Sequence, residues 1–396
     1  MTLKRRVLLT AFTTSFSGTL LQRGAYFYTH QVLGFSQAQN LCLALLVGVT
    51  YICGATASHP LSARLGERRT LLGVLLALVS AHVIIASVSG APLLVAALAL
   101  IGFLQGSMWP IFESYMSAGE TPRSLGPILS RYNITWALAV PLSLALAGFI
   151  IASGAPRLLF VTAAILFGLV AYSCRALPKQ PAHLEADHAE RPNAALLQQY
   201  RSLLGAARLA MLLSYTLMYV LAPLMPDIMN GIGLDTESAA RASSALDIAR
   251  LGCFLALFVW SGWQGRKLPI LTAIAALPVG FALVLFGKSI TPVLMGELLF
   301  GAAAGFLYTA ALYYAQVVQN ASVDAGGAHE ALIGLGYALG PAAGLIGSAL
   351  AHGAGPGSPG YMQGMSIATL PLVAACSCAA LWQLLRGNRE AAKKLA

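Results

Sequence analysis

The sequence predicts an all-α polytopic membrane protein, with about twelve transmembrane helices in two six-helix bundles. Three observations carry that prediction. The 396-residue chain is 58% hydrophobic and 10% charged, with a mean hydropathy of +0.74. A soluble domain carries about 25% charged residues, so most of this surface cannot face water. Apolar runs of about 20 residues recur along the whole chain, each long enough to cross a bilayer as a helix. The period-2 segments of a membrane barrel are absent. Finally, the second half repeats the first without a gap.

The repeat is clearest between Gly102–Gly148 and Gly301–Gly347. Gly102 matches Gly301, Gly106 matches Gly305, Trp109 matches Tyr308 and Gly148 matches Gly347, always at the same offset (301 − 102 = 199). Gly34 and Gly233 keep it, as do Gly66 and Gly265 (265 − 66 = 199). Two copies with an even number of spans each enter the membrane in the same sense. Parallel repeats of this kind place a solute site near the bilayer midplane between them.

Apolar length and polar breaks predict spans at roughly 7–32, 38–62, 69–89, 91–118, 126–153 and 156–176. A second set is predicted at 207–230, 238–262, 268–287, 291–318, 327–352 and 361–385. This divides the chain into a first bundle (1–177), a linker (178–204) and a second bundle (205–396). The linker is polar and proline-bearing, as a cytoplasmic connection should be. Its tail, Asn193–Leu204, has the pattern of a helix lying on the membrane surface. The MTLKRR start followed by an apolar run mimics a signal peptide. Its counterpart in the second half argues that it is retained.

The net charge of +10 does not point to nucleic acid, because the basic residues gather at alternate helix ends. Lys4, Arg5, Arg6, Arg64, Arg68, Arg69, Arg175, Lys179, Arg266 and Lys267 fall on one side, against Arg157, Arg241 and Lys288 on the other. Both termini and the linker are therefore expected on the cytoplasmic side. The six cysteines lie in or beside apolar spans without metal-ligand spacing and read as small hydrophobes.

The turn after the second span reads His59-Pro60-Leu61-Ser62-Ala63-Arg64-Leu65-Gly66-Glu67-Arg68-Arg69. It resembles the Gly-x-Leu-Ala-Asp-Arg-x-Gly-Arg-Arg loop of the major facilitator superfamily of secondary transporters. Leu61, Arg64, Gly66 and Arg68 match, while His59, Ala63 and Glu67 replace the leading glycine, the aspartate and the first closing arginine. The likeness extends over the chain in span number, six-plus-six layout and central loop. The family's Arg-x-x-Gln-Gly stands here as Gly102-x-x-Gln105-Gly106, without the arginine of proton-coupled members. Its antiporter motif is matched in the eleventh span, Gly336-x-x-x-Gly340-Pro341-x-x-Gly344, rather than in the fifth. The resemblance implies alternating access by two rocking bundles.

Charges in the bilayer centre cost about 2.5–3.5 kcal/mol on insertion scales, so each needs a partner or a wet cavity. Near the cytoplasmic ends sit Glu113, Arg131 and His329-Glu330, with Arg131 and Glu330 repeat mates of opposite sign (330 − 131 = 199). A gate, a proton relay or a static ion pair would each satisfy them. At the midplane sit Arg23, Asp247 and Arg250, with Gln105 and Tyr308 at similar depth. Gln105, Trp109 and Glu113 share one helical stripe, mixed in chemistry as a cavity wall is. Two arginines suggest an anionic or zwitterionic solute, unless Asp247 neutralises one. Asp227 lies at the outer level.

The expected function is secondary active transport of a small organic solute. Arg23, Gln105, Trp109, Arg250 and Tyr308 are the candidate solute contacts. Glu113, Arg131, Asp227, Asp247 and Glu330 are the candidate gate and coupling groups. Coupling to protons is compatible with these carboxylates. Two alternatives stay open: a transporter-like sensor or assembly factor, and a multidrug-type exporter. Nucleotide-binding loops, hydrolase motifs and Cys/His metal sets are absent, so no enzyme, cofactor, metal or nucleic-acid partner is expected. The expected setting is a bacterial inner membrane, with the protein a monomer.

Overall fold

The computed structural model describes residues 2–87, 90–183, 192–234, 242, 244–351, 353–354 and 358–395. Within those, the side chains of 22–24, 26–27, 30–32, 37, 144–145, 148, 151–152, 223, 226–227, 230 and 387–395 are not described. The regular structure among the described residues is helical, joined by turns and loops, without a strand. There are twelve helices among them. The first six are α1 (Leu3–Leu33), α2 (Gln37–Leu65), α3 (Glu67–Ser87), α4 (Ala91–Ser117), α5 (Pro122–Ala152) and α6 (Leu158–Cys174). The second six are α7 (Ala194–Gly231), α8 (Ala245–Val259), α9 (Leu268–Phe286), α10 (Ile290–Val318), α11 (Val323–Leu350) and α12 (Pro359–Leu395). Eight of them are long and apolar enough to cross a membrane by length and composition, and α6 is a shorter apolar helix.

Local chemistry sets the helix ends. Ser36 caps α2 in a reciprocal box with Gln39, its hydroxyl accepting from the Gln39 N–H at 3.2 Å while the Gln39 carboxamide accepts from the Ser36 N–H at 2.8 Å. Gly66 turns the chain from α2 to α3 at φ +85°, and its repeat mate Gly265 does the same at φ +74°. Only glycine adopts that region without a Cβ penalty.

The chain forms two compact units. The first comprises Met1–Arg191 together with Gln319–Gly334, and the second Pro192–Val318 together with Leu335–Ala396. Among membrane helices, small residues let backbones approach closely and dispersion does the rest. In the first unit α2 lies against α4, where a Cβ on Gly102 would sit 2.9 Å from the Val47 carbonyl oxygen and one on Gly106 2.2 Å from that of Tyr51. In the second unit α8 lies against α10 the same way. There Gly301 meets the Leu246 carbonyl at 2.2 Å and Gly305 that of Arg250 at 3.1 Å. All four pairs keep the offset (246 − 47 = 199; 250 − 51 = 199), so the repeat is one of contacts as well as of letters.

One feature differs from the reading above, and a second adds to it. Asn193–Leu204 is not a separate surface helix, because from Ala194 onward it is the opening of the 38-residue α7. Tyr200 explains why: it is buried against the rings of Tyr314 and Tyr313, at 5.0 and 6.2 Å. Cations at the helix ends also reach the carbonyls that end neighbouring helices. Lys4 donates to the Met116 carbonyl in the last turn of α4 and to the Ala118 carbonyl just beyond it (2.9 Å), and pairs with Glu120 at 3.2 Å. Arg6 donates to the Ser173 carbonyl at the end of α6 (3.1 Å) and Arg68 to that of Leu177 (2.9 Å). A cation there satisfies orphan carbonyls and the negative end of the helix dipole together.

Candidate functional site

The stripe on α4 is where polarity enters the first unit. Gln105 and Glu113 are buried, and Trp109 between them is half-buried with its ring 6.0 Å from that of Phe112. Gln105 borders a small cavity of about 30 Å³ walled by α1, α2 and α4, including Leu21, Val47 and Ile101. Its amide nitrogen is buried without a hydrogen-bond partner among the described residues.

Two turns further along α4, Glu113 is fully buried and meets the start of α11. The contact depends on glycine. A Cβ on Gly326 would stand 2.6 Å from Glu113 Oε2 and 2.9 Å from Pro110 Cα, and one on Gly327 would stand 2.9 Å from the Ala55 carbonyl oxygen. With both absent, α11 settles against α4 and α2, and the next residues of α11 arrive beside Glu113. One ligand atom from each of Glu113, His329 and Glu330 lies within 4.8 Å of the others, all three side chains being buried. The Tyr51 hydroxyl of α2 donates to Glu330 Oε2. Both carboxylate oxygens of Glu113 are buried and receive no N–H or O–H donor among the described residues. Tyr132 and Asn133 are buried as well, and Asn133 Oδ1 accepts from Trp136 Nε1 at 3.2 Å.

The second unit carries a different cluster. Arg250 of α8 is 7% exposed and donates to the Tyr215 hydroxyl of α7. Its guanidinium carbon stands 5.3 Å from the ring centre of Tyr215, 5.4 Å from Tyr308 and 5.8 Å from Phe254. Gly305 makes the room, since a Cβ there would fall 3.2 Å from the Arg250 side chain. Tyr219 and Tyr337 extend the aromatic wall at 4.0 Å from each other. They can do so because Gly336 and Gly340 of α11 would each place a Cβ 2.5 Å from Tyr215 or Tyr219. Ring faces attract a cation with about 0.5–2 kcal/mol each, so this cage holds a charge in apolar surroundings.

The structure thus brings Glu113 and Glu330 together, and Arg250 and Tyr308 together, in separate units. Gln105 and Trp109 lie on the helix that bears Glu113. Arg131 is exposed, whereas its repeat mate Glu330 is buried and held by Tyr51. Asp247 is half-buried on α8, one turn before Arg250. The side chains of Arg23 and Asp227 lie outside the described residues. Sequence reasoning passed over Tyr51, Tyr215 and the Gly326-Gly327 pair. One signal was there for the first: Tyr51 is the repeat mate of Arg250 (250 − 51 = 199), so both copies carry a donor at that position of α2 or α8.

A family model described as the Major Facilitator Superfamily matches residues 7–344. The chain belongs to this family. It is therefore an integral membrane protein of a transporter family, and its broad role is the movement of small molecules across a bilayer. Among solved structures it is similar to the crystal structure of the human organic anion transporter MFSD10 (TETRAN), at 15% identity and a TM-score of 0.69. That match covers 96% of this chain and 100% of the other. No curated protein matches the chain.

Proposed function

We propose that this protein is a secondary active transporter that moves a small organic anion or zwitterion by alternating access. The observation that carries the reading is the buried Arg250 in its cage of Tyr215, Phe254 and Tyr308. A guanidinium presents five N–H donors in a planar fork that suits a carboxylate, sulfonate or phosphate. Tyr308, Gln105, Trp109 and Arg23 complete the proposed solute contacts. The human protein of the same fold is described as an organic anion transporter, in agreement with this chemistry. Glu113, Arg131 and Glu330 serve as inner gate and coupling groups, with Asp227 at the outer mouth and Asp247 beside the solute arginine. Coupling to protons is assigned in this proposal to the Glu113 and Glu330 carboxyls, which meet in the first unit.

The test is uptake of labelled organic anions, zwitterions and cations into proteoliposomes, with and without a pH gradient. Loss of a charge-assisted hydrogen bond costs about 1.5–3 kcal/mol, so Arg250→Ala should weaken anion affinity about 10- to 150-fold. Arg250→Lys should keep part of it. A preference for cations, or unchanged anion uptake in Arg250→Ala, overturns the substrate class. Equal uptake with and without the gradient removes proton coupling.

A further inference from the structure

We propose that Glu113, His329 and Glu330 form a binding site for one divalent first-row transition cation, of the Zn²⁺ or Mn²⁺ kind. Four observations converge on it. The donor set is one imidazole and two carboxylates, a mixed nitrogen–oxygen set that suits such cations better than Mg²⁺ or Ca²⁺. Ligand atoms from all three residues already lie within 4.8 Å of one another. Around a tetrahedral metal with bonds of about 2.0–2.2 Å, ligands stand about 3.3–3.6 Å apart, so a closure of up to about 1.5 Å, within reach of side-chain rotation, completes the set. Glu113 is fully buried, neither of its carboxylate oxygens receives an N–H or O–H donor among the described residues, and one of them faces His329 and Glu330. Tyr51 donates to Glu330, the kind of outer contact that orients a carboxylate ligand.

Charge balance supports the same occupant. Two buried carboxylates in an apolar bundle are costly together, and a single divalent cation neutralises both while His329 stays neutral. The glycines make the approach possible: Gly326 and Gly327 let α11 come against Pro110 and Ala55, which brings His329 and Glu330 to Glu113. Spacing could not reveal this set, since Glu113 and Glu330 are 217 residues apart (330 − 113 = 217). The site belongs to the first unit and does not depend on which solute the protein carries. A bound cation would fasten the first turns of α11 to α4 and compete with protons for the same carboxylates.

The experiment titrates the full chain, purified in detergent without a histidine tag and with no solute present, first with CoCl₂ and then with ZnCl₂. The expected result is one equivalent of Co²⁺ bound, with ligand-field absorption of a nitrogen–oxygen site, displaced by Zn²⁺ and not by Mg²⁺. Glu113→Gln and His329→Gln should each weaken binding about 100-fold or more. Tyr51→Phe, which keeps the ring, should weaken it about 10- to 100-fold, as loss of an outer-shell contact does. It keeps the proposal testable if a ligand variant does not fold. Replacing the exposed His59 and His183 by Ala should change nothing. Absence of the absorption band at one equivalent overturns the proposal. So does binding that survives in folded His329→Gln, in Tyr51→Phe unchanged, or that vanishes only with His59 and His183. Transport measured in a chelator reads the solute proposal separately.

Discussion

Replacing Gly54 by alanine should destabilise the protein by forcing α2 away from α4. A Cβ at position 54 would lie 1.9 Å from the Phe103 carbonyl oxygen and 2.7 Å from its carbon, both rigid backbone atoms. Ordinary contact begins at 3.4 Å, so the helices must part locally by about 1.5 Å. That movement stretches two interhelical hydrogen bonds, from Ser58 Oγ to the Ser107 carbonyl (2.8 Å) and from Ser107 Oγ to the Gly54 carbonyl (3.1 Å). Overpacking costs about 1–3 kcal/mol, and each hydrogen bond within a membrane bundle about 0.6 kcal/mol. Alanine recovers at most about 1 kcal/mol of helix propensity over glycine. The expected net loss is about 2 kcal/mol. Thermal unfolding of the purified protein in detergent, followed by tryptophan fluorescence, measures it against Gly73→Ala. A Cβ on Gly73 would meet nothing within 4 Å, so that variant should melt with or slightly above the wild type. If Gly54→Ala melts alongside Gly73→Ala, the close-approach argument for α2 and α4 is wrong.

Three further outcomes are expected. Lys4→Gln removes the cation over the end of α4 and the pair with Glu120, whose partners are 24% and 19% exposed. It should therefore cost only about 1 kcal/mol in a thermal melt, and less at high salt. Tyr200→Ala takes away the aromatic contact that holds the start of α7 to α10. Aromatic pairs contribute about 0.5–1.5 kcal/mol, so trypsin should cut at Arg201 about 2- to 10-fold faster. Tyr215→Phe keeps the ring beside Arg250 but deletes its hydroxyl acceptor. Anion affinity should fall about 2- to 10-fold with little change in melting, and unchanged affinity would deny the hydroxyl any part in orienting the guanidinium.

Much of the fold was legible because its causes are local or periodic. Apolar length sets the spans, and left-handed turns demand Gly66 and Gly265 at positions visible as letters. The offset that pairs Gly102 with Gly301 and Gly106 with Gly305 foretold two equivalent helix contacts. The end of the linker was less legible. Whether Asn193–Leu204 ran along a surface or into α7 turned on Tyr200 finding Tyr313 and Tyr314, more than a hundred residues away in sequence (313 − 200 = 113).

The candidate sites divide along the same line. That Glu113, Glu330 and Arg250 would need partners within the bundle followed from their cost in an apolar span, which any sequence displays. That the two glutamates meet with His329 between α4 and α11, while Arg250 sits among Tyr215, Phe254 and Tyr308, did not follow. Helical periodicity says which residues share a face of one helix. It says nothing about which faces of different helices meet, because that depends on backbone approach and side-chain volume across the bundle. By itself, then, the sequence determined a repeated membrane bundle of the transporter kind with a few expensive polar groups. Only the tertiary structure decided their company: Tyr51 on Glu330, glycines 326 and 327 beside Glu113, and an aromatic cage around Arg250.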